Sequence, residues 1–110
     1  MSVNILAAGD IVGQSGIRFL SQKLRSIKKL KNISFTVVNG ENASGTGITP
    51  QQADDILAAG ADVITLGNHT YGRPNIIPYL DDCRCILRPA NYAPQNPGRG
   101  YGIFETDFIF

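Results

Sequence analysis

Three short polar clusters carry the residues of this 110-residue chain that could do metal or acid–base chemistry. They are "GDIVG" with Asp10, "NGEN" with Glu41 and Asn42, and "GNH" with Asn68 and His69. Carboxylate and amide oxygens, together with an imidazole, suit divalent cations such as Mn, Fe, Zn or Mg. Two such cations, about 3.5 to 4 Å apart, can hold a phosphate ester and activate water for its hydrolysis. These residue types therefore predict a two-metal phosphoesterase site.

Four of the five residues also have a purely structural interpretation. Asp10 could cap a following helix, and Asn42 and Asn68 belong to a residue type that is common in turns. His69 is the single histidine of the chain and could be a hydrogen-bonded residue of a turn. The recurrence of a polar cluster beside a glycine at three places favours one shared site over three separate turns.

The clusters follow short apolar runs that predict β-strands, and amphipathic segments between the runs predict helices. The predicted strands are residues 3–8, 35–38, 62–66 and 86–87, and the predicted helices are residues 16–29, 50–59 and 75–81. This alternation predicts an α/β fold with a largely parallel sheet flanked by helices. Because the carboxyl ends of parallel strands meet at one edge of a sheet, the three clusters should lie at the same edge.

The second helix has explicit end signals. Thr49 is the expected N-cap, Pro50 the first helical residue and Gln52 the partner in a capping box. Gly60 is expected to end the helix.

The last part of the chain predicts a final β-strand at an unpaired edge of the sheet. A loop rich in proline and glycine leads into "YGIFETDFIF", which has the apolar character of a strand and no polar cap after it. We therefore expect residues 1–110 to form a single partial domain that is truncated at its C-terminus. An unpaired apolar edge also predicts a homo-oligomer.

Composition and charge exclude several other functions. The net charge is +1, so we expect no stable nucleic-acid partner. The basic run at residues 18–31 carries Ile17, Leu20, Leu24 and Ile27 at helical spacing, which favours a solvated helix face over a nucleic-acid footprint. No signal peptide or membrane span is predicted. The cysteine pair in "DCRC" predicts reduced thiols and a cytoplasmic protein.

Two glycine-rich segments do not complete a known nucleotide-binding loop. "GDIVGQSG" lacks the lysine and hydroxyl residue of a P-loop, and "GTGITP" lacks the last glycine of the dinucleotide-binding pattern. A nucleotide-binding module without hydrolysis is therefore the weakest alternative.

Four segments resemble the YmdB-like metallophosphoesterases, bacterial members of the calcineurin-like phosphoesterase superfamily. They are "GDIVG" at 9–13, "NGENASGTGITP" at 39–50, "GADVITLGNHTY" at 60–71 and "RPANYAPQNPGRGYGIFE" at 88–105. The resemblance implies the N-terminal half of an α/β sandwich metallophosphoesterase fold. It also implies two divalent metal ions and hydrolysis of a phosphodiester or cyclic nucleotide.

The resemblance further implies a role for each residue of the three clusters. Asp10 would bind one metal, Glu41 would bridge the two metals and Asn68 would bind the second, with Asn42 at the site. His69 would lie beside the phosphate as the catalytic proton donor.

Two departures from the family pattern bear on these roles. Tyr71 and Gly72 stand where the family usually has tryptophan and aspartate after "GNHT". Family members are also more than twice as long, and their second half supplies histidine ligands that this chain does not contain. The alternative to an enzyme is therefore a non-catalytic half-domain that forms oligomers through its open sheet edge.

Overall fold

The computed structural model describes residues 3–106, in which four strands alternate with three helices. All four strands are parallel and lie in the order β1-β2-β3-β4, which confirms the predicted α/β fold. In chain order the elements are β1 (Asn4–Ala8), α1 (Gly13–Leu30), β2 (Ile33–Asn39), α2 (Pro50–Ala59), β3 (Val63–Thr65), α3 (Ile76–Asp82) and β4 (Ile86–Leu87).

The three helices pack against one face of the sheet. Each helix connects one strand to its neighbour in the sheet. Because crossovers between parallel strands are right-handed, all three helices lie on the same side of the sheet. The core on that side joins buried residues of all three helices with Val38, Ile64 and Ile86, which are fully buried and adjacent across the strands. Replacing Ile64 by alanine there should cost about 2 to 5 kcal/mol of stability.

Helix α1 begins earlier than the apolar spacing predicted. It starts at Gly13, whose φ of 69° lets the chain turn out of β1, and Val12 occupies the N-cap without a side-chain hydrogen bond. The alternative role of Asp10 as a helix cap is therefore wrong. Leu20 and Leu24 face the core as expected, whereas Ile27 is 39% exposed.

Two residues of the basic run have structural partners on α2. Arg25 Nη2 donates to the Ala58 carbonyl at 2.7 Å, and Lys28 Nζ donates to the Gly60 carbonyl at 2.7 Å. Both bonds satisfy carbonyls at the C-terminal end of a helix, where positive charge is favourable. These contacts give part of the basic run a role in packing α1 against α2.

The end signals of α2 are confirmed. Thr49 Oγ1 accepts a hydrogen bond from the Gln52 backbone at 3.3 Å, and Gln52 Oε1 accepts one from the Thr49 backbone at 2.9 Å. Pro50 is the first helical residue, and Gly60 follows the last one with a φ of 126°.

The predicted last strand is wrong within the described part of the chain. Residues 101–106 form neither helix nor strand, and the chain meets β4 in a single bridge between Leu87 and Arg99. The segment instead crosses the face of the sheet opposite the helices, where the Phe104 ring lies 5.8 Å from that of Phe35. Residues 107–110 of the predicted strand lie outside the described residues.

Among residues 3–106, the helices are too short or too polar to cross a membrane.

The two cysteines, Cys83 and Cys85, are both free thiols. Burial raises the pKa of Cys85, so this thiol is a poor nucleophile at neutral pH.

Candidate functional site

The three polar clusters meet at the carboxyl edge of the sheet, as the parallel topology predicted. We call the set of Asp10, Glu41, Asn42, Asn68 and His69 the rim. Backbone hydrogen bonds join the loops that carry it: Ile11 donates to Asn39 at 3.2 Å, Gly13 to Ala43 at 3.1 Å and Gly40 to Thr65 at 2.9 Å. These backbone hydrogen bonds continue the pairing of the strands into the loops that carry the rim.

Asp10 and Asn42 form the first contact of the rim. Asn42 Nδ2 donates to Asp10 Oδ1 at 3.2 Å, and the Asp10 side chain is exposed. Asp10 has a φ of 51°, a left-handed conformation that aspartate tolerates better than most residues. The strained backbone turns the carboxylate toward the loop after β2 and not toward the start of α1.

Glu41 and His69 form the second contact. Glu41 Oε2 accepts a hydrogen bond from the His69 backbone N–H at 3.1 Å, and His69 Nδ1 lies 3.5 Å from the same oxygen. The Nδ1 atom is buried, faces the Glu41 carboxylate and has no hydrogen-bond partner within residues 3–106. The His69 side chain as a whole is 44% exposed, which leaves the other side of the ring open to a ligand.

Gly67 provides the space in which the Glu41 carboxylate lies. A Cβ atom at position 67 would be 2.5 Å from the Glu41 carboxyl carbon, which is closer than real Cβ contacts allow. The glycine of "GNH" therefore has a steric function in addition to its place in the turn.

Asn68 lies next to the imidazole. Its Nδ2 is 3.5 Å from His69 Nε2, and its side chain is exposed. Because Glu41 and Asn42 are consecutive, the Asp10–Asn42 pair adjoins the Glu41–His69–Asn68 group. The structure thus arranges the five residues in two contact groups, Asp10–Asn42 and Glu41–His69–Asn68, joined by the loop of Glu41 and Asn42.

Two residues that support the rim were missed by the sequence analysis. The Gly67 carbonyl accepts hydrogen bonds from Thr70 Oγ1 at 2.6 Å and from the Tyr92 hydroxyl at 3.0 Å. Thr70 is fully buried. The only signal for Tyr92 was its place in the long loop after β4, because its contact with Gly67 spans 25 residues of sequence.

Tyr71 connects the same two loops. Its hydroxyl donates to the Pro97 carbonyl at 2.7 Å, and its ring lies 5.9 Å from that of Tyr92. Burial raises the pKa of Tyr71, so the phenol stays protonated and keeps donating over the physiological range. Gly72 follows in a tight turn, in which its backbone N–H donates to the His69 carbonyl at 2.9 Å.

The loop of Glu41 and Asn42 is fixed from α2. Gln52 accepts a short hydrogen bond from the Ser44 hydroxyl, and its Nε2 donates to the Ala43 carbonyl at 3.3 Å. The capping residue of α2 therefore also holds the second polar cluster in place, a role that the capping pattern alone did not reveal.

The donor chemistry of the rim fits a hydrated, oxygen-liganded divalent cation. Asp10 and Glu41 supply carboxylate oxygens, and Asn42 and Asn68 supply amide oxygens. Within residues 3–106, no three histidine, cysteine, aspartate or glutamate side chains converge as a ready metal shell. The rim therefore fits an ion that keeps several water ligands and does not fit a closed four-ligand zinc site.

Comparison with known proteins places these features in one family. The family model described as "YmdB-like protein" matches residues 6–108. The 2′,3′-cyclic-nucleotide 2′-phosphodiesterase of Bacillus subtilis is 37% identical over 99 residues, which cover 89% of this chain and 38% of that protein.

Two solved structures have the same fold over the matched region. A hypothetical protein from Thermus thermophilus superposes with a TM-score of 0.83 at 29% identity, covering 92% of this chain and 39% of that one. A novel phosphatase from Mycoplasma pneumoniae superposes with a TM-score of 0.86 at 25% identity, covering 97% and 40%. This chain thus spans about two fifths of the length of the proteins it matches. Because the family model covers nearly all of it, the chain belongs to the YmdB-like protein family.

Proposed function

We propose that the rim is the working site of a metal-dependent phosphodiesterase. The observation that carries this proposal is the convergence of the three polar clusters at one sheet edge, with the Glu41 carboxylate between Gly67 and His69. The relative from Bacillus subtilis, which is named for the cleavage of cyclic nucleotides, supports a phosphodiester or cyclic nucleotide as the substrate.

Four residues of the rim would hold the metal ions. Asp10 would bind the first ion, Glu41 would lie between the two, and Asn68 would bind the second, with Asn42 beside Asp10. When bound, divalent ions neutralise phosphate charge and lower the pKa of a coordinated water. The exposed positions of Asp10 and Asn68 leave room for a phosphate and for water.

His69 would act on the leaving group. The hydrogen bond from its backbone to Glu41 fixes the start of the loop, and the Glu41 carboxylate faces Nδ1 of the ring. A proton on the imidazole can then pass to the leaving oxygen as the P–O bond breaks, which leaves a neutral hydroxyl on the product and a neutral imidazole on the protein.

The test is hydrolysis of 2′,3′-cyclic AMP by the pure chain with Mn²⁺ or Fe²⁺, because its leaving alkoxide needs a proton. We expect turnover with metal, none in EDTA, and a loss of about 10²- to 10⁴-fold in the His69→Ala variant. Metal-independent turnover, or a His69→Ala variant as fast as the wild type, would contradict the proposed roles.

The second candidate is a non-catalytic half-domain that assembles with copies of itself. It is favoured by β1, an edge strand whose Ile5 side chain is 64% exposed on the face opposite the helices. Among residues 3–106, the contact that this candidate would use is therefore the β1 edge. This candidate predicts an oligomer by light scattering, no turnover, and a shift to monomer on Ile5→Lys but not on Phe19→Lys, which changes an exposed residue of α1. A monodisperse wild-type monomer would contradict it.

A further inference from the structure

The charge of the chain is divided between two parts of the sequence. Residues 11–40 contain six of the ten basic residues and none of the nine acidic ones. The remaining residues therefore contain four basic and nine acidic side chains, so the net charge of +1 is the sum of +6 and −5. Helix α1 and the residue after it, Lys31, carry all six of these positive charges. A region with charge of one sign attracts a partner of the opposite sign, even when the net charge of the whole chain is small.

Helix α1 also has apolar side chains on a side that does not face the core. Phe19 is 61% exposed and Leu30 is 79% exposed, although both belong to the helix. With Lys23 and Ser26 they follow the spacing i, i+4, i+7 and i+11, which places side chains along one stripe of a helix. All four are exposed, and we call them the outer stripe. Ile27, which is 39% exposed, lies beside it.

The lysines of this surface are available to an external anion. Lys23 lies within the outer stripe, and Lys29 and Lys31 flank its C-terminal end; all three are exposed. None of their ammonium groups forms an ion pair with a carboxylate in the part of the chain that the structure describes. Arg25 and Lys28 differ, because they donate to carbonyls at the end of α2.

Lysines interleaved with exposed apolar side chains fit the surface of an anionic phospholipid bilayer. Ammonium groups pair there with headgroup charges, and apolar side chains enter the boundary between headgroups and acyl chains. A nucleic acid also offers negative charge, but its apolar surfaces are the faces of its bases, on which flat rings stack. Leu30 and Ile27 have no ring for such stacking. The side chains of α1 thus favour a lipid surface over a nucleic acid.

We propose that the outer stripe of α1 is a peripheral membrane-binding surface for anionic phospholipids. The helix lies along the bilayer, with Phe19 and Leu30 among the headgroups and with Lys23, Lys29 and Lys31 beside their negative charges. At 18 residues α1 is about 27 Å long, so it contacts several headgroups at once. None of the rim residues belongs to this surface. The proposal therefore goes beyond the phosphodiesterase and does not depend on it.

The test is co-sedimentation of the pure chain with two kinds of vesicle, one of phosphatidylcholine and phosphatidylserine in equal parts and one of phosphatidylcholine alone. We expect binding to the anionic vesicles to be at least about tenfold tighter and to weaken as salt is added. Lys23→Gln and Phe19→Ser should each weaken it about three- to tenfold. The matched controls Arg84→Gln and Tyr101→Ser change exposed residues outside α1 and should bind as the wild type does.

Equal binding to the two kinds of vesicle would overturn the assignment, as would wild-type binding by both α1 variants or an equal loss in the controls. Two other occupants of the outer stripe are tested with the same variants. If the chain binds no vesicles but binds a single-stranded RNA, or forms a dimer that Lys23→Gln dissociates in light scattering, the stripe belongs to a nucleic acid or to a second copy. Either result would also overturn the proposal.

Discussion

At the scale of single residues, the position of one carboxylate determines what the rim can do. Glu41 lies against Gly67 on one side and against the backbone and ring of His69 on the other. The glycine is required there for space, because its backbone has no left-handed φ that would itself demand glycine. Any side chain at position 67 must therefore move the Glu41 carboxylate.

The Gly67→Ala variant should separate folding from function. Because the clash falls on the end of a flexible side chain, Glu41 can swing away, and we expect the free energy of unfolding to change by less than about 1 kcal/mol. Activity with Mn²⁺ should nevertheless fall at least about tenfold, since the carboxylate leaves the position from which, in the proposed function, it would hold metal. Urea denaturation and a hydrolysis assay on the same sample measure the two effects.

A matched control is Gly9→Ala, because a Cβ at position 9 has no atom within 4 Å and φ there is not left-handed. Full activity of Gly67→Ala would show that the position of Glu41 does not matter.

The common sheet edge of the three polar clusters could be predicted from the sequence, because each cluster follows a strand that ends at a glycine. The contacts between the rim residues could not be predicted. The Asn42–Asp10 bond spans 32 residues and needs the left-handed backbone of Asp10, for which the sequence has no separate signal. The hydrogen bond from the Tyr92 hydroxyl to the Gly67 carbonyl could not be predicted either, because it depends on how the loop after β4 folds back.

At the scale of elements, helix α2 fixes the second polar cluster through its first turn. Gln52 completes the capping box with Thr49 and also bonds to Ser44 and Ala43. A single side chain therefore couples the start of the helix to the loop that carries Glu41 and Asn42.

The Gln52→Ala variant should lower stability by about 1 kcal/mol and loosen the loop at residues 40–48, because it removes a cap and two loop contacts. Gln51→Ala is the control, since Gln51 is exposed and bonds only to Asp55 one turn along the helix. Urea denaturation and hydrogen exchange at residues 43–45 measure both effects. Equal exchange rates in the two variants would refute the coupling.

The contact between α3 and α2 should make stability depend on alkaline pH. The Tyr79 hydroxyl donates to Asp54 Oδ1 at 2.8 Å, and burial, followed by this hydrogen bond, raises the pKa of Tyr79 above its ordinary value. A raised folded-state pKa means that the stabilisation is complete below the unfolded value of about 10 and is lost as the pH rises above it.

Tyr79→Phe should therefore be about 1 kcal/mol less stable than the wild type at pH 8, a modest value because Asp54 is exposed. The difference should shrink above about pH 10. Urea denaturation across this range measures it, with Tyr101→Phe as the exposed control. A difference between wild type and Tyr79→Phe that stays constant up to pH 11 would contradict the assignment.

The helices and strands could be predicted wherever a local sequence signal existed. The predictions were wrong where tertiary contacts determine the structure. The capping residues of α2 specify its ends, whereas α1 starts at Gly13 because of a backbone turn. The apolar residues of "YGIF" were typical of a strand, but Phe104 packs on Phe35 and carries the segment across the sheet. The apolar pattern alone cannot distinguish a segment that pairs with the edge strand from a segment that packs on the face of the sheet.

At the scale of the whole molecule, the sheet is covered by helices on one face. Parallel sheets are normally buried on both faces. Here the second face presents Ile5 and Phe35, with Phe104 as a partial cover. The proteins that share the fold are about two and a half times as long as this chain.

The central claim is that the rim of this chain supports metal-dependent phosphodiester hydrolysis. The most direct test is the rate of diester hydrolysis in Mn²⁺ by the wild type, Glu41→Ala and Glu105→Ala, the last of which removes an exposed carboxylate outside the rim. We predict turnover in the wild type and in Glu105→Ala, and none above background in Glu41→Ala. Wild-type turnover in Glu41→Ala, or no turnover in any of the three proteins, would contradict the account.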